Sequence, residues 1–104
     1  MPKYVFAYHG GSRPESPADQ EAVMAAWGTW FGTLGNAVVD GGNPIGASKT
    51  VKSDGSTSDG GGANALNGYS LINASDLNAA VSLAKGCPIL AAGGTVEVAE
   101  TIDM

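Results

Sequence analysis

The segment SPADQEAVMAAWGTWFGTLGN, residues 16–36, constrains the fold most, because its periodicity predicts one long amphipathic helix. Ser16 is a favourable N-cap for this helix, and Gly35 predicts its end through a left-handed conformation. Gly28 and Gly32 predict a face that approaches a strand or a pocket closely. The apolar stripe predicted to face the sheet consists of Val23, Trp27, Trp30 and Leu34.

Strand-like runs surround this helix and a second, shorter helix. The second helix lies in SDLNAAVSLAKG, with Ser75 as its N-cap. Its predicted buried stripe is Leu77, Val81 and Ala84. The predicted strands are Tyr4–His9, Ala37–Asp40, ASKTVKS, GYSLINA and TVEVAETI. Residues 53–65 are rich in glycine and small polar side chains, which predicts a flexible loop.

The predicted element order is β-α-β-β-β-α-β, and 104 residues suit a single domain spanning 1–104. Without one extra hairpin strand, this is the ferredoxin-like split βαβ order, an α+β fold with helices on one sheet face. The uncovered face needs a partner, and charged residues make up only 14% of the chain. We therefore expect a homodimer in which two sheets form a dimeric α–β barrel.

Composition argues against several classes of partner. The formal net charge of −5 disfavours nucleic acids and anionic membranes, which require clustered Lys and Arg. One cysteine and one histidine cannot form a Cys/His-rich zinc site, so we expect no metal and no cofactor. No apolar run reaches the roughly 18 residues of a membrane span, and no secretory signal is recognisable, so we expect a cytoplasmic protein.

Four stretches resemble the YCII-related family, which includes the DGPF-type proteins. They cover nearly the whole chain outside residues 53–65: YVFAYHGG, AAWGTWFGTLGNAVVDGGNP, LNGYSLINASDLNAAVSLAKGCPIL and GGTVEVAE. The resemblance implies a dimeric ferredoxin-like fold. Some members of that family carry a His–Asp pair, but those places hold Ala25 and Cys87 here. Residues 59–62, DGGG, stand where the DGPF signature would lie and lack its Pro-Phe.

His9 is the candidate catalytic residue, because an imidazole at a strand end exchanges protons near neutral pH. Asp40 ends the second strand as His9 ends the first, and paired glycines follow both residues. We therefore predict that Asp40 orients His9. The alternative is structural: a strand-end histidine bonded to a nearby carbonyl, and an aspartate in ordinary turn chemistry.

Candidate ligand-binding residues are Trp27 and Trp30, whose indoles can line a pocket, and Asn43 in the turn after Asp40. Both tryptophans can equally belong to the core, and Cys87 is predicted to be a small buried side chain. Two functions remain open. The first is a lyase or isomerase acting on a small organic molecule through His9. The second is a non-catalytic dimeric module that binds a small ligand or serves as an accessory domain.

Overall fold

The computed structural model describes residues 2–12 and 14–103. Within these residues the chain forms two α-helices, six β-strands and two short 3-10 helices. The order is β1 (Lys3–His9), α1 (Pro17–Leu34), a 3-10 helix (Gly35–Ala37), β2 (Val38–Asp40), β3 (Lys49–Val51), β4 (Thr57–Asp59), β5 (Leu66–Asn73), α2 (Leu77–Ala84), a 3-10 helix (Pro88–Leu90) and β6 (Thr95–Glu100). The predicted α+β class is confirmed at this level.

Four strands form one antiparallel sheet in the order β2-β5-β1-β6, and β3 and β4 form a separate two-stranded sheet. In the main sheet Phe6 of β1 lies opposite Ser70 of β5 on one side and Val98 of β6 on the other. Helix α1 connects β1 to β2, which are separated in the sheet by β5, and α2 connects β5 to β6, which are separated by β1.

The hydrophobic core lies on one face of this sheet. Alternation along β1 directs Tyr4, Phe6 and Tyr8 to that face, where all three are buried. Both helices contribute to the same cluster, α1 through Trp30 and Leu34 and α2 through Ala80 and Ala84. On the opposite face, which we call the open face, Val5, Ala7 and Leu71 are half-buried and Ala99 is exposed.

Helix α1 begins as predicted, but its apolar stripe packs along only part of its length. Ser16 Oγ accepts a hydrogen bond from the Asp19 N–H at 3.1 Å, and Gly35 ends the helix with a φ of 56°. Trp30 and Leu34 are buried, whereas Val23 is 39% exposed, so its predicted packing is wrong. The predicted close-approach face is also wrong, because a Cβ at Gly28 or Gly32 would meet nothing within 4 Å. The first half of α1 borders an open cleft instead of the sheet.

Helix α2 is present, but its cap and buried face differ from the prediction. The N-cap is Asp76, whose side chain accepts the Ala79 N–H, and not Ser75. The buried helical residues are Ala80 and Ala84, whereas Leu77 and Val81 are exposed. The short methyl side chain of Ala80 lets α2 lie close to the sheet, and Leu83 packs at the edge of the core. Ala84 was predicted correctly.

Residues 53–65 are not a single loop, because β4 (Thr57–Asp59) lies within them. It pairs with β3 as a hairpin around Asp54 and Gly55, where Gly55 has a φ of 87°. The Gly55 N–H donates to the Lys52 carbonyl at 2.9 Å, and a three-residue loop with a glycine at positive φ in its last position is a common hairpin connection, which explains why these small polar residues form a strand. In the part of the chain that the structure describes, no helix is long and apolar enough to cross a membrane.

Candidate functional site

His9 lies on the open face of the sheet and is 8% exposed. Its Nδ1 is 3.1 Å from the Asn64 carbonyl oxygen and 3.2 Å from that of Ala65. Its Nε2 is 3.2 Å from Glu97 Oε1. The carbonyl and carboxylate oxygens are all acceptors, so only a doubly protonated ring donates to both sides at once. The segment before β5 thus covers one side of the imidazole, and β6 provides its acidic partner.

Asp40 does not meet His9. It lies opposite Leu71 on β5, and Leu71 lies opposite Val5 on β1. Four residues along β1 and two strand spacings across the sheet then separate the two positions, roughly 13 Å by 10 Å. Strand β2 is only three residues long. It ends at Asp40, which lies level with the middle of β1. Its Oδ1 accepts the Gly42 N–H at 2.8 Å, which is turn chemistry, so the predicted His9–Asp40 pairing is wrong.

An open cleft of about 1330 Å³ lies on the helix side of the sheet, at the end of β1. Typical small-molecule sites occupy about 300–1,000 Å³, so a ligand of ordinary size would fill part of it. Five segments form its walls: residues 8–12, 14–31, 41–46, 67–69 and 88–92 each contribute side chains or backbone. His9, Asp40 and Glu97 do not line it.

Aromatic side chains form the apolar wall of this cleft. Trp27 is half-buried, and its ring meets Tyr8 edge-on with centroids 4.9 Å apart. Phe31 lies 6.0 Å from Trp27 and also lines the cleft. Trp30 is buried behind them and donates its indole N–H to the Leu83 carbonyl at 3.1 Å. Trp27 therefore lines the cleft, whereas Trp30 lies in the hydrophobic core.

Asn43 also lines the cleft, on the segment that follows β2. Its carbonyl accepts the Tyr69 N–H at 3.4 Å, and Ile45 donates to the Asn67 carbonyl at 2.9 Å. Gly42 permits this close pairing, because it has a φ of 74° and a Cβ there would overlap the Tyr69 carbonyl. Two of the three predicted ligand-binding residues, Trp27 and Asn43, therefore share one cleft.

The Tyr8 hydroxyl forms a hydrogen bond within the protein and does not point at the cleft as a free donor. It donates to Ser70 Oγ at 2.7 Å, and Ser70 in turn donates to the Gly41 carbonyl at 2.7 Å. Burial raises the pKa of Tyr8 to about 12, although the hydrogen bond with Ser70 acts in the opposite direction. Tyr8 stays a neutral phenol near neutral pH, and it offers the cleft its ring.

Cys87 is buried, as predicted, and desolvation raises the pKa of its thiol to about 11. A thiol rather than a thiolate is present at neutral pH, so Cys87 is a poor nucleophile. Glu15 and Asp19 are the carboxylates that line the cleft, both near the start of α1. Within residues 2–12 and 14–103, no group of three or more His, Cys, Asp or Glu side chains is arranged to hold a metal ion.

Sequence reasoning missed Glu97 as the partner of His9, and Phe31 as part of the cleft wall. Alternation along β6 already places Glu97 opposite the core-facing Val96 and Val98, but its register with β1 is not visible in the sequence. No protein-family model matches the chain, and no curated protein matches it. The resemblance to the YCII-related family stays a prediction.

Proposed function

We propose that this chain is a homodimeric, ferredoxin-like domain that binds a small, largely apolar organic molecule in the cleft beside Trp27. The proposal rests on the aromatic wall of that cleft, in which the half-buried Trp27 ring packs edge-on against Tyr8 with ring centroids 4.9 Å apart. An aromatic ring that lines a concave, mostly apolar site favours contact with a planar ligand.

The strand order supports the ferredoxin-like part of the proposal. Both helical connections leave room for a third strand, which is the arrangement of two interleaved split βαβ units. The hairpin β3–β4 is then an insertion between β2 and β5. The YCII-related resemblance implies the same fold.

The size of the solvent-accessible surface supports the proposal that a second copy packs on this chain. The chain exposes 6901 Å². A compact monomer of this mass exposes about 5,400 Å². The surplus of roughly 1,500 Å² exceeds the roughly 800 Å² that each partner buries in a standard interface. The open face supplies apolar surface for it through Val5, Ala7, Leu71 and Ala99. Packing that face on its copy would bury these side chains and form the proposed α–β barrel.

A lyase or isomerase that uses His9 is the second candidate. The close approach of His9 Nε2 to Glu97 at 3.2 Å favours it, because a carboxylate orients an imidazole for proton transfer. Such an enzyme would act on the open face and away from the aromatic cleft. The substrate would also need to displace Glu97 or the Asn64 and Ala65 carbonyls from the ring. These requirements make the binding function the better supported of the two.

The binding proposal is tested with N-phenyl-1-naphthylamine, a neutral planar probe whose fluorescence rises in apolar sites. We expect saturable binding by the wild type and about tenfold weaker binding by Trp27→Ala, which corresponds to about 1.4 kcal/mol. Leu90→Ala is the matched control, because Leu90 is an exposed apolar residue that does not line the cleft. Equal affinity in Trp27→Ala and wild type would refute the proposed site.

His9→Asn separates the two candidates in the same assay. His9 does not line the cleft, so the probe should bind this variant with unchanged affinity. Loss of probe binding in His9→Asn, with thermal stability retained, would instead favour a site centred on the imidazole.

A further inference from the structure

The β3–β4 hairpin, residues 48–60, is held together by contacts within itself, and we call it the arm. Lys52 N–H donates to the Ser56 carbonyl at 2.7 Å, and Gly60 N–H donates to the Ser48 carbonyl at 2.9 Å. Thr50 Oγ1 donates to the Gly60 carbonyl at 2.6 Å. Lys49 Nζ lies 3.6 Å from Asp59 Oδ1 across the two strands. These bonds shape the arm without attaching it to the main sheet.

Most of the arm is exposed. All three residues of β3 are exposed, and Val51 is 71% exposed. An isolated two-stranded hairpin is marginally stable in water and needs a surface to pack against. The overall dimensions of the chain, 44 × 42 × 19 Å, and its radius of gyration of 14.9 Å describe a flat, extended molecule. A compact domain of this length has a radius of gyration of about 13 Å.

We propose that the arm of one copy packs along the β6 edge of a second copy, an inference that rests on the proposed homodimer. Strand β6 ends the order β2-β5-β1-β6, so one of its edges is left without a strand partner in the described chain. Such an edge readily accepts another strand or ribbon. The connection from the arm to β5 passes Asn64 and Ala65, whose carbonyls lie against His9 on the open face. The arm therefore leaves the molecule beside the face that the homodimer covers.

The distribution of charge supports the arm of a second copy as the partner of the β6 edge. The arm contains two lysines and two aspartates, so the whole formal net charge of −5 belongs to the rest of the chain. Two acidic bodies repel one another, and the neutral arm is the segment best suited to approach the partner. Of the two glutamates that β6 exposes, Glu97 already lies 3.2 Å from His9, so Glu100 is the acidic side chain opposite in charge to Lys52 near the arm turn.

The first test is the dimer dissociation constant, measured by sedimentation equilibrium for wild type, Val51→Asp and Met24→Asp. Met24 is the matched control for the dimer measurement alone, because it is 75% exposed and lines the cleft on α1, outside the arm and the open face. We expect at least a tenfold higher dissociation constant for Val51→Asp and an unchanged one for Met24→Asp. Circular dichroism checks that both variants are folded.

The second test locates the arm by cross-linking. Val51→Cys chains are mixed with Glu100→Cys chains and treated with a bismaleimide of about 10 Å span. Native Cys87 is buried and its thiol pKa is raised, so the engineered cysteines react first. We expect a covalent Val51→Cys–Glu100→Cys heterodimer, and far less product when Met24→Cys replaces Val51→Cys.

The outcomes separate the two proposals. A wild-type chain that is monomeric at 100 µM would overturn both the homodimer and the arm contact. A wild-type dimer whose dissociation constant is unchanged in Val51→Asp, or which gives no selective cross-link, would overturn the arm contact alone. Neither result bears on probe binding at Trp27, which is measured separately.

Discussion

Gly42→Ala should destabilise the protein strongly, because two independent constraints meet at this residue. Gly42 has a φ of 74°, where an alanine costs about 1 kcal/mol. A Cβ there would also overlap the Tyr69 carbonyl, which is backbone and cannot rotate away. Relief of the overlap requires the segment after β2 to move from β5. That movement breaks the hydrogen bonds Tyr69 N–H to Asn43 O and Ile45 N–H to Asn67 O.

Each lost backbone hydrogen bond costs about 1 kcal/mol, so the total loss is about 3 kcal/mol. For a domain of this size the melting temperature should then fall by about 12–24 °C. Differential scanning calorimetry of the variant measures both quantities. The cleft wall that contains Asn43 should loosen with the same change, so Gly42→Ala should also bind the naphthylamine probe more weakly.

Two matched glycines separate the steric term from the backbone term. Gly55 has a φ of 87° but open space around its Cβ position, so Gly55→Ala should cost only this conformational term of about 1 kcal/mol. Gly41 has open space and no positive φ, so Gly41→Ala should be close to neutral. If Gly42→Ala proves no more destabilising than Gly55→Ala, the close pairing of residues 43–45 with β5 is refuted.

Three further predictions concern the cap of α2, the Tyr8 hydroxyl and the Cys87 thiol. Asp76→Ala should lower the free energy of unfolding by about 1 kcal/mol in urea denaturation, because Asp76 Oδ1 caps α2 by accepting the Ala79 N–H at 2.7 Å. Ser75→Ala should be near neutral, and a larger loss for Ser75→Ala than for Asp76→Ala would contradict the cap. Burial raises the pKa of Tyr8 in the folded protein from 10.0 to about 12, so its contribution to stability is complete below pH 10 and is lost as pH rises from 10 to 12. A Tyr8→Phe variant whose free energy of unfolding falls as steeply over this pH range would contradict this. Cys87 should react with Ellman's reagent at pH 8 only at the rate of unfolding, since it is buried and its thiol pKa is about 11; rapid reaction of the folded chain would show that it is accessible.

Local signals predicted the elements well. The cap at Ser16, the end at Gly35 and the aromatic periodicity between them depend on neighbours in sequence, and α1 runs from Pro17 to Leu34 as these signals indicate. The same reasoning misplaced the start of α2 by one residue, because Ser75 and Asp76 are both good caps. The buried face of α2 is set by its packing on the sheet, where Ala80 and Ala84 are buried while Leu77 and Val81 are exposed.

The candidate site depended on distances that the sequence does not encode locally. The interpretation that paired His9 with Asp40 assumed that two strands end at the same level, but β2 stops level with Val5. Glu97 reaches His9 because β6 pairs with β1 so that Ala7 faces Glu97, a register set by the packing of the whole sheet. The cleft joins five separate segments, so only its individual members, such as Trp27 and Asn43, could be proposed in advance.

The most direct test of the proposed function is an NMR titration of the two tryptophan indole N–H signals with N-phenyl-1-naphthylamine. Trp27 lines the cleft, whereas the Trp30 indole is buried and hydrogen-bonded to the Leu83 carbonyl. We expect the Trp27 signal to shift saturably and the Trp30 and His9 ring signals to change little. Saturable shifts of the His9 ring with an unmoved Trp27 signal would contradict the aromatic cleft as the binding site.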